Sequence, residues 1–271
     1  MINLKGRCSG MSIDFHSQEN QSSYIGRTAS LSWVNEVKKV VDFKGKAVAD
    51  IGCGGGIYTL AMAMLGAESV TAVDYSRQQL QAAKENCQQV EKIKFLLGNA
   101  LDTKLDDATF DIVLERAVIH HITKLETCFN EIYRILNENG TAIIQDRTPE
   151  DCLQKSSKTH IRGYFFEKFS ALINIETSRR YSSEQVIETM RSTGFAEIEE
   201  IKLWEQRKVY QNINELKKDL LERKGRSILH ELNDQELFQL VNDIEKEFVH
   251  HRGEIIEEDR WTIWIARKKR S

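Results

Sequence analysis

Between Ala49 and Asp74 the chain reads ADIGCGGGIYTLAMAMLGAESVTAVD. A short apolar run passes through Asp50 and Ile51 into Gly52, Gly54, Gly55 and Gly56. Backbone that turns this tightly and passes close to a ligand has no room for a Cβ, which is the use of glycine. A helical run then begins near Ile57. Asp74 closes the next apolar run about 20 residues after the first glycine, the distance at which an acid takes the ribose hydroxyls in a βαβ unit. Together these residues point to a nucleoside-containing cofactor. Farther along, His120 and His121 follow another apolar run. A histidine near neutral pH can accept the proton of an oxygen or nitrogen nucleophile. Arg147, with Arg162 and Tyr164 of the stretch HIRGYFFEKF (160–169), could receive a carboxylate or phosphate by bidentate pairing. Arg147 could equally pair within the chain, with Glu150 or Asp151.

The type of cofactor follows from the turn. The dinucleotide fingerprint GxGxxG sets a pyrophosphate on a helix N-terminus, whereas Gly52, Gly54 and Gly56 match only GxGxG. A carboxylate at Asp50 would repel a pyrophosphate but could hold the ammonium of an amino-acid moiety, which favours S-adenosylmethionine over NAD. The pattern DxGCGxG from Asp50 to Gly56 also resembles motif I of the class I S-adenosylmethionine-dependent methyltransferases. The resemblance continues through VTAVD (Val70–Asp74), GNA (Gly98–Ala100) and FDIVLERAVIHHI (Phe110–Ile122), and covers roughly Phe43 to Ile144.

That resemblance implies a Rossmann-like α/β fold, a seven-stranded mixed sheet with strand 7 antiparallel, and S-adenosylmethionine as cofactor with S-adenosylhomocysteine as product. It places Asp50, Cys53 and the glycines along the methionyl part, Cys53 as a small packed residue rather than a nucleophile. It places Asp74 on the ribose, and Tyr75 and Gln79 beside the nucleoside. Asn99 stands where the family usually has an acid that accepts from the adenine amino group; its amide oxygen can do the same, or it can be a turn residue. The backbone of Ala100 or Leu101 could serve the ring nitrogen. Glu115 or Arg116 would meet the methionine portion or the loop over it. His120 and His121 could act as base or serve packing and cofactor orientation. In relatives the N-terminal arm often folds over the cofactor, which would bring Tyr24 and Arg27 to the methionine end; the alternative is a half-ordered arm with surface charges.

Apolar periodicity places the elements that carry these residues. A helix is expected over Ala29–Val41, strands over Ala47–Ile51, Ser69–Val73, Ile93–Leu97, Phe110–Leu114 and Thr141–Gln145, and helices over Ile57–Leu65, from Ser76 to about Gln88, and over Lys124–Leu136, stopping before Asn139-Gly140. Alternating βα units require a mainly parallel sheet. A helix over Glu184–Ser192 and strand 6 over Ala196–Lys202 follow. Strand 7, Trp261–Ala266, arrives only after two amphipathic helices, about Asn212–Lys224 and Asp234–Phe248. The expected organisation is one domain, 1–271: an arm and helix (1–42), a cofactor core (43–146), a substrate-side segment with strand 6 (147–203), a helical insert (204–260) and strand 7 (261–267). The insert must pack on the core, over the site, or on a partner, and a homodimer through it is one expectation.

At 271 residues, 41% hydrophobic and 29% charged, the chain can fill one sizeable α/β core. A formal charge of −3 argues against a dedicated nucleic-acid binder. Five cysteines without paired spacing exclude a disulfide framework or zinc knuckle, and no long apolar segment is present, so a cytoplasmic protein without metal or membrane is expected. The reading is methyl transfer to a small-molecule acceptor, with Tyr164, Phe165 and the insert as walls. An RNA or protein acceptor, or a non-catalytic S-adenosylmethionine-binding module, is the alternative.

Overall fold

A computed structural model describes residues 29–269. Helix α1 (Leu31–Val40) leads into β1 (Ala47–Ile51), α2 (Ile57–Met64), β2 (Ser69–Asp74), α3 (Arg77–Asn86), β3 (Ile93–Leu97) and β4 (Phe110–Arg116). After a 3₁₀ turn at Ile119–His121 come α4 (Leu125–Ile135), β5 (Leu136–Asp146), α5 (Pro149–Cys152), α6 (Arg162–Lys168), α7 (Ala171–Ser178) and α8 (Ser183–Ser192). Strand β6 (Phe195–Tyr210), α9 (Ile213–Leu221), a 3₁₀ turn (Ser227–Glu231), α10 (Asp234–Glu247) and β7 (Ile255–Lys268) complete it.

The strands form one seven-stranded sheet in the order β3-β2-β1-β4-β5-β7-β6. β1 to β5 are parallel, and β7 is antiparallel to both β5 and β6. β1 is flanked on both sides, which is why it reads as a continuous apolar run and is buried from Val48 to Ile51. The strand order reverses between β1 and β4, and the crevice beyond their carboxyl ends is where such sheets bind ligands. One core, with Trp33, Met62, Leu114 and Ile263, lies between the sheet and α1–α3. A second, with Phe129, Ile132, Ile144 and Trp264, lies under α4 and α8.

Three local expectations are corrected. α4 stops at Ile135, and β5 begins at once rather than after Asn139-Gly140; Asn139 takes a left-handed φ of 62° inside the strand. β6 continues far past Lys202, and β7 starts well before Trp261, the two pairing from Phe195↔Lys268 to Tyr210↔Ile255. This ribbon outruns β5, which meets β7 only from Thr141 to Asp146. The insert is therefore confined to the ribbon's tip. The charged residues Glu199, Glu200, Lys202, Glu205 and Arg207 hid the strand, since they leave little apolar alternation. Helices α6 and α7 were not anticipated.

The insert's apolar stripes are absorbed by the chain itself. Leu216, Leu220, Leu240, Val241 and Ile244 join Ile161, Tyr164, Phe165 and Leu172 in a third core. The segment after β5 and the insert thus form one body. Capping boxes fix three of the helix starts: Thr148 with Asp151, Ser182 with Gln185, and Asn233 with Glu236.

Candidate functional site

The three glycines after β1 have different jobs. Gly52 has φ 74°, and a Cβ there would lie 2.2 Å from Val118 Cγ2, which follows β4. Gly56 has φ 76° and packs against Ala83 of α3 and Cys87 just beyond it. Gly54 also has a positive φ, 52°, but a Cβ there would meet nothing closer than Gln79 Oε1, at 3.9 Å. Among the described residues the space over Gly54 is therefore open.

Asp74 braces this turn. Its Oδ2 accepts the Gly54 N–H at 2.9 Å and its Oδ1 the Ser76 N–H at 2.9 Å. Each carboxylate oxygen can take a second donor, so the same group can still meet a diol. Gln79, on the first turn of α3, is 3% exposed, and neither its amide oxygen nor its nitrogen has a hydrogen-bond partner among the described residues. A buried amide left in that state costs free energy unless a ligand answers it. Tyr75 is half exposed at the same rim. Asp50 is buried and accepts from Thr59 Oγ1 of α2. Burial pushes its carboxyl up to about 7 despite the Thr59 hydrogen bond. Cys53 is buried, and burial raises its thiol pKa further, which suits packing rather than nucleophilic attack. Asn99 Oδ1 accepts the Leu101 N–H at 2.9 Å, so Asn99 closes a turn and the Leu101 N–H is committed; the half-buried Ala100 sits between them.

Glu115 and Arg116, named as alternatives in the sequence, point to opposite faces of the sheet, as neighbours in a strand do. Glu115 is fully buried against Cys128 Sγ of α4, at 3.1 Å, and burial lifts its carboxyl to about 8. Arg116 donates to Glu205 Oε2 at 2.7 Å and lies between the rings of Tyr58 (4.1 Å) and Trp261 (4.2 Å). Glu205 also receives Tyr58 Oη and Gln145 Nε2. Arg116 thus ties the ribbon to α2.

His120 sits with its Nδ1 2.7 Å from Asp146 Oδ2, the same oxygen accepting its backbone N–H. Burial alone would raise the Asp146 carboxyl, but His120 and Arg180 hold it well below the usual carboxylate range. An ionised Asp146 requires Nδ1 to carry the proton and leaves Nε2 as the acceptor. Burial lowers the pKa of His120 itself, Asp146 opposing and Arg180 adding to the effect. His121 is exposed, its ring centroid 3.9 Å from that of His120.

Arg147 does not pair with Glu150 or Asp151; both of those take Arg260. Its Nη1 meets Asp259 Oδ2 at 3.2 Å, and its Nε has no partner among the described residues. Burial and the adjacent Arg162 push its guanidinium down to about 10. Arg162 donates to Asp259 Oδ1 at 2.9 Å. Tyr164 and Phe165 are buried in the third core. Tyr24 and Arg27 lie outside the described residues. Thr59, Asp146, Glu176, Arg180, Glu205 and Asp259 were missed in sequence; only Asp146, an acid at the carboxyl end of a parallel strand, carried a signal.

Among the described residues no helix is long and apolar enough to cross a membrane, and no cluster of three or more His, Cys, Asp or Glu could hold a metal. A family model described as a methyltransferase domain matches residues 49–144. The demethylmenaquinone methyltransferase of Geobacillus sp. (strain WCH70) is 27% identical over 56% of this chain and 65% of its own length. The mitochondrial ubiquinone biosynthesis O-methyltransferase of Schizosaccharomyces pombe is 33% identical over 38% of each chain. The chain thus spans less than two thirds of these relatives' lengths. Phosphoethanolamine N-methyltransferase 2 of Haemonchus contortus, solved with S-adenosyl-L-methionine, superposes with TM-score 0.58 at 19% identity, covering 96% of this chain and 61% of that one. Sheet order, glycine turn and family match agree: this chain carries a methyltransferase domain and has the class I S-adenosylmethionine-dependent methyltransferase fold.

Proposed function

We propose that the protein transfers a methyl group from S-adenosylmethionine to a small, anionic acceptor. The observation that carries the cofactor half is the buried, unanswered amide of Gln79 beside the open Gly54 and the Asp74 carboxylate. Asp74 would hold the ribose, Gln79 and Tyr75 the nucleoside, and Asp50 the ammonium. The bound cofactor supplies a methyl group already activated on a sulfonium. What remains for the chain is to align the acceptor, exclude water and take a proton. His120 is suited to the last task, with Asp146 on Nδ1 and the lone pair on Nε2. Arg147, with an unpartnered Nε and repelled by Arg162 and Arg180, is the cation best placed to receive an acceptor's carboxylate or phosphate.

A small acceptor fits the named substrates of the relatives, demethylmenaquinone and phosphoethanolamine, better than RNA or protein does. The insert buries its stripes within the chain, which supports its use as an acceptor wall rather than a dimer contact. Among the described residues, four buried free thiols suit the reducing cytoplasm.

The first test is calorimetric titration with S-adenosylmethionine, S-adenosylhomocysteine and NAD. Binding of the sulfur cofactors, abolished in Asp74→Ala and absent for NAD, is expected. Folded protein that binds neither would sink the proposal. An acceptor screen weighted to carboxylates and phosphates follows, in which Arg147→Met should raise KM more than it lowers kcat.

A further inference from the structure

Behind His120 lies a closed circuit of buried charge. Asp146 Oδ1 accepts Arg180 Nη1 at 2.9 Å and the Arg147 backbone N–H at 2.7 Å. Arg180 turns Nε and Nη2 onto Glu176 Oε1, one helical turn back in α7, at 3.1 and 2.9 Å. Glu176 Oε1 is 3.9 Å from Arg162 Nη1, Arg162 bonds Asp259, and Asp259 returns to Arg147. Signs alternate from Asp146 to Arg147, and the Arg147 backbone N–H closes the ring. Arg179 adds a third cation on Glu176. Arg180 is 7% exposed and Glu176 fully buried, so neither bond has a solvent substitute.

We propose that Arg180 is the positioning residue of the His120 base: by bridging Asp146 Oδ1 to Glu176 it fixes the Asp146 carboxylate so that Oδ2 holds Nδ1–H and Nε2 faces the acceptor. This rests on the reading of His120 as the base. The role needs a guanidinium, because three nitrogens in one plane span two carboxylates in fixed geometry, which a point-charge ammonium cannot do. Without it, Asp146 Oδ1 keeps only the Arg147 N–H and the carboxylate can rotate away from His120. The charged and titratable groups around His120 are Asp146 from β5, Arg147 just beyond it, Arg179 and Arg180 after α7, His121 in the same turn, and Glu115 at the end of β4, which acts through Asp146. Arg180 is thus also the cation that opposes protonation of His120 from the far side of Asp146.

The test reads His120 directly, by NMR titration of its imidazole in the ligand-free protein, the signal being assigned by its loss in His120→Asn. In wild type the Nδ1–H tautomer should dominate at high pH. Arg180→Gln should mix the tautomers, its midpoint being the balance of a lost cation, which raises it, and a loosened Asp146, which lowers it. Arg180→Lys, which returns the charge without the planar fork, should leave the tautomers mixed. Glu176→Gln, which frees Arg180 from its anchor without touching Asp146, should lower the midpoint and also mix the tautomers, and it carries the test if Arg180→Gln fails to fold. Unchanged midpoints and tautomers in Glu176→Gln and in whichever Arg180 variant folds would overturn the proposal. If tautomer and midpoint move as stated while methyl transfer keeps its pH profile, positioning stands and the base reading falls.

Discussion

Replacing Gly52 and Gly54 by alanine, one at a time, separates what the turn does for the fold from what it does for the ligand. Both have a positive φ, and a left-handed conformation costs a non-glycine residue about 1–2 kcal/mol. At Gly54 that is the whole cost, since the new methyl meets nothing closer than 3.9 Å. At Gly52 the methyl would sit 2.2 Å from Val118 Cγ2, an overlap that must be relieved by moving β1 or the chain after β4. Overpacking of that kind adds about 1–3 kcal/mol, for a total of about 2–5 kcal/mol. In a chain of this size each kcal/mol lowers the melting temperature by about 2–4 °C. Gly52→Ala should therefore melt roughly 10 °C below wild type, and Gly54→Ala only a few degrees below. Val118→Ala in the Gly52→Ala background should regain part of the loss. Affinity for S-adenosylhomocysteine should rank the other way, with Gly54→Ala losing at least about tenfold because its methyl occupies the face the ligand approaches. Thermal unfolding and calorimetry on the same preparations supply both rankings. A Gly54→Ala protein that binds like wild type, or one less stable than Gly52→Ala, refutes the division of labour.

The remaining expectations concern charge. Asp50, raised to about 7, should bind cofactor as the carboxylate. Affinity should fall by up to about tenfold per pH unit below that value, and calorimetry in buffers of different ionisation enthalpy should show proton release on binding; no release would remove Asp50 from contact with the ammonium. Glu115 has its pKa raised from 4.5 to about 8, so its contribution to stability is present in full below 4.5 and is lost as pH rises through 8. Glu115→Gln should flatten that decline in urea unfolding, and an unchanged slope would place the titration elsewhere. His120 has its pKa lowered, so it is neutral when folded and stability should fall as pH drops below 6.5, the unfolded value. His120→Asn should remove that component and lower kcat about 10²–10⁴-fold.

The cofactor half was readable because its information is local. Glycine positions, strand-end acids and apolar runs lie within one βα unit of each other, and β1 and β3 fall where their apolar residues begin and end. The part proposed to receive the acceptor depends on partners remote in sequence. Asp259 gathers Arg147 and Arg162 across more than a hundred positions of chain for the first, and Glu205 reaches Tyr58 across a still longer interval. Nothing in the stretch around Arg116 tells whether its side chain faces a ligand or Glu205. Sheet pleat decides this, and the pleat is visible only once β6 is known to continue past Lys202. Glu176 and Arg180 were invisible for a simpler reason: a buried salt bridge on a short helix looks, in sequence, like an exposed one.

The place of β7 sets an order on assembly. Although it follows every other strand in sequence, it lies between β5 and β6 in the sheet and carries Asp259 and Trp261. The nucleotide half can close from neighbouring βα units as they emerge, with short loops and little entropy to lose. The acceptor half has no edge for β6 to join until β7 has threaded between the two. A nascent chain should therefore gain the capacity to hold its methyl donor before it owns a wall against which any acceptor could be presented.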